Sequence, residues 1–526
     1  MTASPPLVLC ATRRLARSLQ LGAPGADGRV LSAFTMASWL DQLFDEALLR
    51  GELSAAEAAV RVLAPLPERL LWRQVIARAL GKDGAAALFD LDGLGAAAQD
   101  AHALMETWGL SAAAVQAGGH DEATRFLQWR HAFLRHCDSR AWRDAARHTR
   151  WQVAKLAEGI GRLPQQIELA GFDRFNPGEK NLLAVLAQRG VAIEQRPLGQ
   201  AARPRIETAS FADADSEYRA LAEWLRGQLA AQPTARLGVV VPDLAGARAL
   251  LTRRLDEVIA PEAFSAQHAP SVRRYNLSLG NPLHTLPPVE VALTLLRLAT
   301  QSRRVEQAML GSLLLAPYWS AERSEAEARA LLDAESRKRL PAVLSLDRWL
   351  GFAATRRDKG LPIGRTLRQL DGLRKAATVG GKGKRLPGVW AEHFRALLRI
   401  AGWPGERALA SHDFQAREAF FAVLDGLADF DAIVGEQSIG EALSLLNDAC
   451  AEVLFQPKTE GAPPVQVLGL LEAAGESFDA LWVSGMLANA WPPPARPNPL
   501  LPAALQRAIG TPNASPEVQL GFASGV

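Results

Sequence analysis

Arginine is the residue of this sequence best placed to do chemistry. Arg13, Arg14 and Arg17 follow a short apolar run, LVLCAT (7–12), at the start of a helical pattern, RRLARSLQ. A helix N-terminus at the carboxyl edge of a parallel sheet is where α/β folds hold anions, because backbone N–H groups and the helix dipole point there. A solvated helix face is the plain alternative. Further along, Arg125, Arg130, Arg135, Arg140, Arg143, Arg147 and Arg150 alternate with Trp129, Trp142 and Trp151. Cations for phosphates and flat rings for bases suit a groove for single-stranded nucleic acid. An amphipathic helix pair explains the same spacing.

Other chemistries are missing. A P-loop needs Gly-Lys followed by Ser or Thr, so that backbone N–H groups wrap the phosphates and the hydroxyl reaches Mg²⁺. The three Gly-Lys pairs here, at Lys82, Lys382 and Lys384, are followed by Asp83, Gly383 and Arg385. The turn after LVLCAT offers Thr12 and backbone N–H groups but no Gly-rich cradle. None of the nine lysines has a carboxylate two residues before it, as a PD-(D/E)XK nuclease site requires. Pro242-Asp243 reads as a turn after a strand. A G-x-S-x-G elbow and an H-E-x-x-H pair are also lacking, and His131 and His136 do not share a helix face. Cys10, Cys137 and Cys450 are far apart, which argues for a reducing compartment and against structural zinc. No catalytic residue, cofactor or metal ligand is assigned.

The elements that must position these arginines read as alternating blocks. Strand LVLCAT, helix RRLARSLQ, strand RVLSAF and helix TMASWLDQLFDEALLRG, with Thr35 as N-cap, open an α/β domain. From about 52 to 160 the pattern is helix after helix. Strand character returns at QQIELAGF (165–172). A turn at Asn176-Pro177-Gly178, a helix and VAIEQ complete a β-α-β unit. A second α/β pattern follows: strand RIETASF, a helix from about Ser216, strand RLGVVVP and helix LAGARALLTRRLDEVI. Residues 265–440 are mostly helical, with the basic loop GGKGKR at 380–385. VQVLGL (465–470) and DALWVSG (479–485) are strands again.

Length and composition agree with this. The 526 residues, 48 % hydrophobic and 22 % charged, suit an ordinary globular chain of several domains. No apolar run is long enough to span a bilayer, and the N-terminus lacks the pattern of a secretory signal; a cytoplasmic protein is expected. The net charge of +3 says little about partners. Fifty of the 59 basic residues are arginine; codon bias explains this, in keeping with the Ala and Leu excess, and bidentate phosphate contacts are the functional alternative that composition does not separate from it.

The C-terminal residues bring a family into view. VQVLGLLEAAGESFDALWVSGM resembles the fifth-motif region of superfamily-1, UvrD/RecB-like helicases. There the strand is followed by a His-x-x-Lys-Gly-Leu-Glu-Phe-Asp-type turn. Gly475, Phe478 and Asp479 match it; the His and Lys positions do not. Over nearly the whole chain the sequence is similar to the AddB-like family of DNA repair proteins. The matching segments include ATRRLARSLQ, LPQQIELAGFDRFNPGEKNLLAVLAQRG, YNLSLGNPLHTLPPVEVALTLLRL, GWPGERALASHDFQ and PNPLLPAALQRAIGTPNAS.

The resemblance implies two RecA-like, P-loop NTPase-type domains, each interrupted by a helical insertion. The first would be 1–50 with 165–202, degenerate and without a Walker A motif, interrupted by 51–164. The second would be 203–262 with 440–526, interrupted by 263–439. It also implies a C-terminal PD-(D/E)XK nuclease, which would lie beyond Val526, so that the chain is expected to be a shortened product or a fragment without that activity. The function expected is that of a helicase-like DNA-binding subunit of a double-strand-break repair system. It would hold single-stranded DNA through Arg13, Arg14, Arg17, Arg125, Trp129 and Arg130, and work beside a helicase-nuclease partner. A non-catalytic scaffold for such a partner is the alternative, and an ATP-driven motor with a non-standard nucleotide site a third.

Overall fold

A computed structural model describes residues 7–21, 31–87, 90–119, 121–197, 205–264, 273–456, 463–473, 476–487 and 489–523. The chain divides into two compact units: 1–279 with 461–526, and 280–460.

The first unit holds two parallel four-stranded sheets. In the first, β1 (Leu7–Cys10), β2 (Ala33–Thr35), β3 (Gln166–Ala170) and β4 (Ala192–Gln195) run in the order β2-β1-β3-β4. Val8 stands opposite Ala33 and Leu7 opposite Ile167. Strand β1 is apolar throughout because both of its faces are covered. Leu9 packs with Trp39, Leu40 and Leu182, while Val8 and Cys10 pack with Leu15 and Ala16. Helix α1 (Arg13–Leu21) leaves β1 directly, and α2 (Met36–Leu49) leaves β2 through the expected N-cap, Thr35, in a reciprocal capping box with Ser38.

Between β2 and β3 lies the expected helical block. Its main members are α3 (Pro65–Ala87), α4 (Leu91–Trp108), α5 (Asp121–Asp138) and α6 (Ala145–Ala157). A two-residue parallel ladder, Arg61–Val62 with Trp142–Arg143, ties the segment before α3 to the connection between α5 and α6. Trp72 stacks on Phe133, centroids 4.1 Å apart, at the centre of the block. Helix α7 (Pro177–Gln188) follows β3, capped by Asn176 with Pro177 in the first turn.

The second sheet is built from β5 (Leu237–Val240), β6 (Tyr275–Leu277), β7 (Val465–Leu468) and β8 (Ala480–Val483), in the order β8-β5-β7-β6. Helices α8 (Ala214–Ala231) and α9 (Leu244–Ile259) cover one face. There Leu221, Leu225, Leu251 and Leu255 meet Val239, Val465 and Val467. Asp243, of the Pro-Asp pair, is the N-cap of α9.

Four details differ from the sequence reading. The second sheet reaches into the stretch assigned to the second helical insertion, since β6 supplies its edge; YNL is too short to show a period of its own. RIETASF is no strand: residues 205–210 have no assigned secondary structure. The helix Ile439–Glu452 falls in the second unit and not in the second α/β core. The C-terminal stretch also departs from that core. Asn498 Nδ2 donates to the carbonyl of Ala97 at 2.9 Å, and the Arg174 guanidinium lies 4.1 Å from the Phe522 ring. Residues 498–522 thus lie against the first half of the unit.

The second unit is helical. It includes α10 (Pro287–Thr300), α11 (Pro387–Ala401), α12 (Ser411–Gly426) and α13 (Ile439–Glu452). Trp319, Trp349 and Trp390 are fully buried anchors. Among the described residues, no helix of either unit is long and apolar enough to cross a membrane.

Candidate nucleic-acid interface

Within the first unit Arg14 links the two sheets. Thr12 caps α1, its Oγ1 accepting from the Leu15 amide at 3.1 Å, and this turn aims Arg14 away from its own sheet. Arg14 donates to Gln466 Oε1 at 2.7 Å and lies 3.6 Å from Glu476. Gln466 is the polar residue in the buried strand β7. It alternates with Val465 and Val467 and so faces away from α8 and α9. Its side chain also accepts from Asn276 at 3.3 Å and donates to the Pro463 carbonyl at 2.6 Å. Glu476, with a side chain only 4 % exposed, takes Arg14 on one oxygen and Arg236, at 3.2 Å, on the other. Ser18 reaches it as well.

Burial pushes the Arg14 guanidinium below its ordinary range, and the charges of Glu476 and Glu472 oppose this. Its cation is therefore spent inside the protein. Arg14, expected among the phosphate contacts, is instead a strut between the two α/β halves. Arg13 and Arg17, beside it on α1, are exposed and make no side-chain hydrogen bond or ion pair among the described residues. Among the described residues of α1, the available positive charge sits on these two.

The residues matched to a helicase motif in the sequence hold structural positions here. Gly475 lies outside the described residues. Asp479 accepts from the Arg236 amide at 2.8 Å and donates its own amide to the Arg236 carbonyl at 2.9 Å, locking the start of β8 to the start of β5. The Phe478 ring lies over Gly238, where a Cβ would approach it to 2.8 Å. Glu476 was missed in the sequence because it falls between matched motif positions. Gln466 had a legible signal, a lone amide within an apolar strand.

In the helical block the seven arginines divide. Arg130 donates to His102 Nδ1 at 3.1 Å and to Glu106 at 2.5 Å. The other ring nitrogen, Nε2, lies 3.2 Å from buried Asp144. Arg147 pairs with Asp138, Arg150 with Glu106, and Arg143 lies over Trp151. Trp129 is 7 % exposed and Trp142 the same. Trp129, expected to stack a base, is a core residue with no face to offer, and Arg130 is a partly buried network member. Arg125 is exposed and has no side-chain partner among the described residues.

Nucleophile chemistry finds no support in the cysteines. All three are buried, and burial raises Cys10 to about 11 and Cys137 and Cys450 to about 12. A thiol held so far from ionisation is a poor nucleophile. Among the described residues no group of His, Cys, Asp or Glu is arranged to hold a metal ion. No protein-family model matches the chain, and no curated protein matches it.

Proposed function

We propose that this chain is a catalytically inert, helicase-like subunit that binds one strand of DNA, acting in double-strand-break repair beside a helicase-nuclease partner. On this reading the two parallel-sheet halves are RecA-like domains. The observation that carries it is the seam of the first unit. Two parallel α/β halves are tied by Arg14 to Gln466 and Glu476, while Arg13 and Arg17 stand free on the same short helix. A tied seam suits a fixed track for a strand. Glu476 also places a carboxylate beside Arg14, where the phosphates of a nucleotide at the α1 N-terminus would be repelled. The repair setting rests on the AddB-like resemblance. The test is binding of a fluorescent oligothymidylate to the full chain at low salt, with double-stranded DNA as competitor. Preference for the single strand supports the reading.

A specific observation favours the scaffold alternative. Leu481 and Val483 on edge strand β8, with Met486 and Leu487 after it, are all more than 40 % exposed. Exposed apolar residues on an unpaired strand edge suit a protein partner. A folded sample that binds no DNA at low salt selects the scaffold.

A further inference from the structure

The second unit carries a pocket lined by arginines and aromatic rings. Helix α11 places Arg395 and Arg399 one turn apart on one face, and α12 does the same with Arg417 and Phe421. Between them, Leu398, Trp403, Pro404 and Phe421 line a pocket of about 240 Å³. Its lining holds three guanidinium groups and no carboxylate.

The three cations are not equivalent. Arg395 lies 4.7 Å over the Phe421 ring, donates to the Phe421 carbonyl at 3.2 Å and pairs with Asp425, so it fixes the ring. Arg417 lies over Phe414 and pairs with Glu418 at 2.9 Å. Arg399 is exposed and has no side-chain partner among the described residues. Asp425 and Glu418 have exposed side chains. Exposed ion pairs of this kind contribute little. A phosphate, which takes two parallel N–H bonds from one guanidinium, competes with them. Trp403 is held by its Nε1–H to the Pro288 carbonyl at 2.8 Å and stands edge-on to Phe421 at 85°, so it closes the back of the pocket without stacking.

We infer that this pocket binds one nucleotide of a single strand, its phosphate on Arg399 and Arg417 and its base against Pro404 and Phe421. The inference rests on the single-strand reading above and gives it a site in the helical unit that neither arginine run in the sequence pointed to. Arginine with an aromatic wall is the chemistry that takes phosphate and base together. Inorganic phosphate would meet only half of the pocket.

The test uses the full chain with three probes: inorganic phosphate, thymidine 5′-monophosphate, and an oligothymidylate carrying 5-bromouracil for photocrosslinking. Arg399→Gln removes an exposed, unpartnered side chain and leaves the fold intact. It is expected to lower the log–log salt slope of oligomer binding by about 0.7, one phosphate contact. Phe421→Ala is expected to weaken the oligomer roughly 5- to 150-fold, the range for one stacked base. Melts run alongside exclude unfolding, and Arg417→Gln repeats the phosphate test without touching the ring. Crosslinks should map to 403–421, and the monophosphate should bind more tightly than phosphate. Oligomer binding with crosslinks elsewhere and an unchanged slope in Arg399→Gln overturns this pocket and leaves the single-strand reading standing. Monophosphate binding that Arg399→Gln weakens, without oligomer binding, supports the pocket and overturns the single-strand reading. Binding of neither overturns both.

Discussion

Arg14 and Arg13 are neighbours in sequence and opposites in role. One side chain is turned inward onto Glu476 and Gln466; the other remains in water. A basic run on a short helix shows how many charges there are, not which of them the tertiary structure consumes. The same holds at Arg125 and Arg130, where only the second meets an acidic partner inside the protein. Trp129 is the clearest case. Trp129→Ala is expected to destabilise the protein by about 3–5 kcal/mol, the usual cost of truncating a large buried aromatic. DNA affinity per folded molecule should not change. Urea unfolding beside a binding titration measures both.

Glu68 makes a second prediction at this scale. Its carboxylate, 5 % exposed, accepts from Trp72 Nε1, and burial, with help from the Asp144 charge, raises it to about 7 from an ordinary 4.5. The native state therefore keeps a proton that the unfolded chain loses. Stability is unaffected by this group below pH 4.5, falls as pH rises toward 7, and is lowered fully above that. At 1.36 kcal/mol per pKa unit the full loss is about 3 kcal/mol. Glu68→Gln, which mimics the protonated form, should melt higher than the parent at pH 8 and level with it at pH 4.5. A gap of equal size at both values would contradict the assignment.

Among the elements, those with a strong local signal were legible in the sequence. Strands β1, β5, β7 and β8 were placed by apolar runs, β3 and β4 by the strand character that flanks α7, and α2 and α7 by their caps. The elements that failed lack such signals. Strand β6 is three residues long and exists because β7 offers it an edge. RIETASF alternates well, yet no ladder pairs it among the described residues, because alternation states a preference and pairing needs a partner. Gly238 belongs to this scale too, since it lets β8 approach β5 with Phe478 across it. A Cβ there would stand 2.6 Å from Leu481 Cδ1 and 2.8 Å from the Phe478 ring. Gly238→Ala should cost about 1–3 kcal/mol. Adding Phe478→Ala should give a double variant less destabilised than the sum of the two single changes, since they share one contact. Strict additivity in urea unfolding would contradict this.

For the whole molecule, the alternation of α/β and helical blocks was legible, and its boundaries were less so. The covalent order hides that 498–522 lies against the first half of the first unit, because a contact such as Asn498 with Ala97 leaves no periodic trace. The candidate site was half legible: Arg13, Arg17 and Arg125 were in view, whereas Glu476 and the α11–α12 arginines were not, having no pattern until the helices are paired. At this scale the account predicts no ATP hydrolysis above background, with or without DNA. It also predicts none in Glu476→Gln, since removing one charge creates no phosphate cradle. A coupled phosphate-release assay checks both; DNA-stimulated turnover lost on changing Thr12 and Arg13 would contradict it.

The central claim is that the free arginines hold the backbone of a single DNA strand. Its most direct measurement is the affinity of the full chain for an oligothymidylate across a range of salt concentrations, beside Arg13→Ala, Arg17→Ala and Arg125→Ala. The account predicts a linear fall of log affinity with log salt, of slope about −0.7 per phosphate contacted, reduced by about 0.7 in each variant. All sequences should be weakened alike, since phosphate contacts carry no base information. No binding at low salt from a folded sample, or binding whose salt slope all three variants leave unchanged, would contradict it.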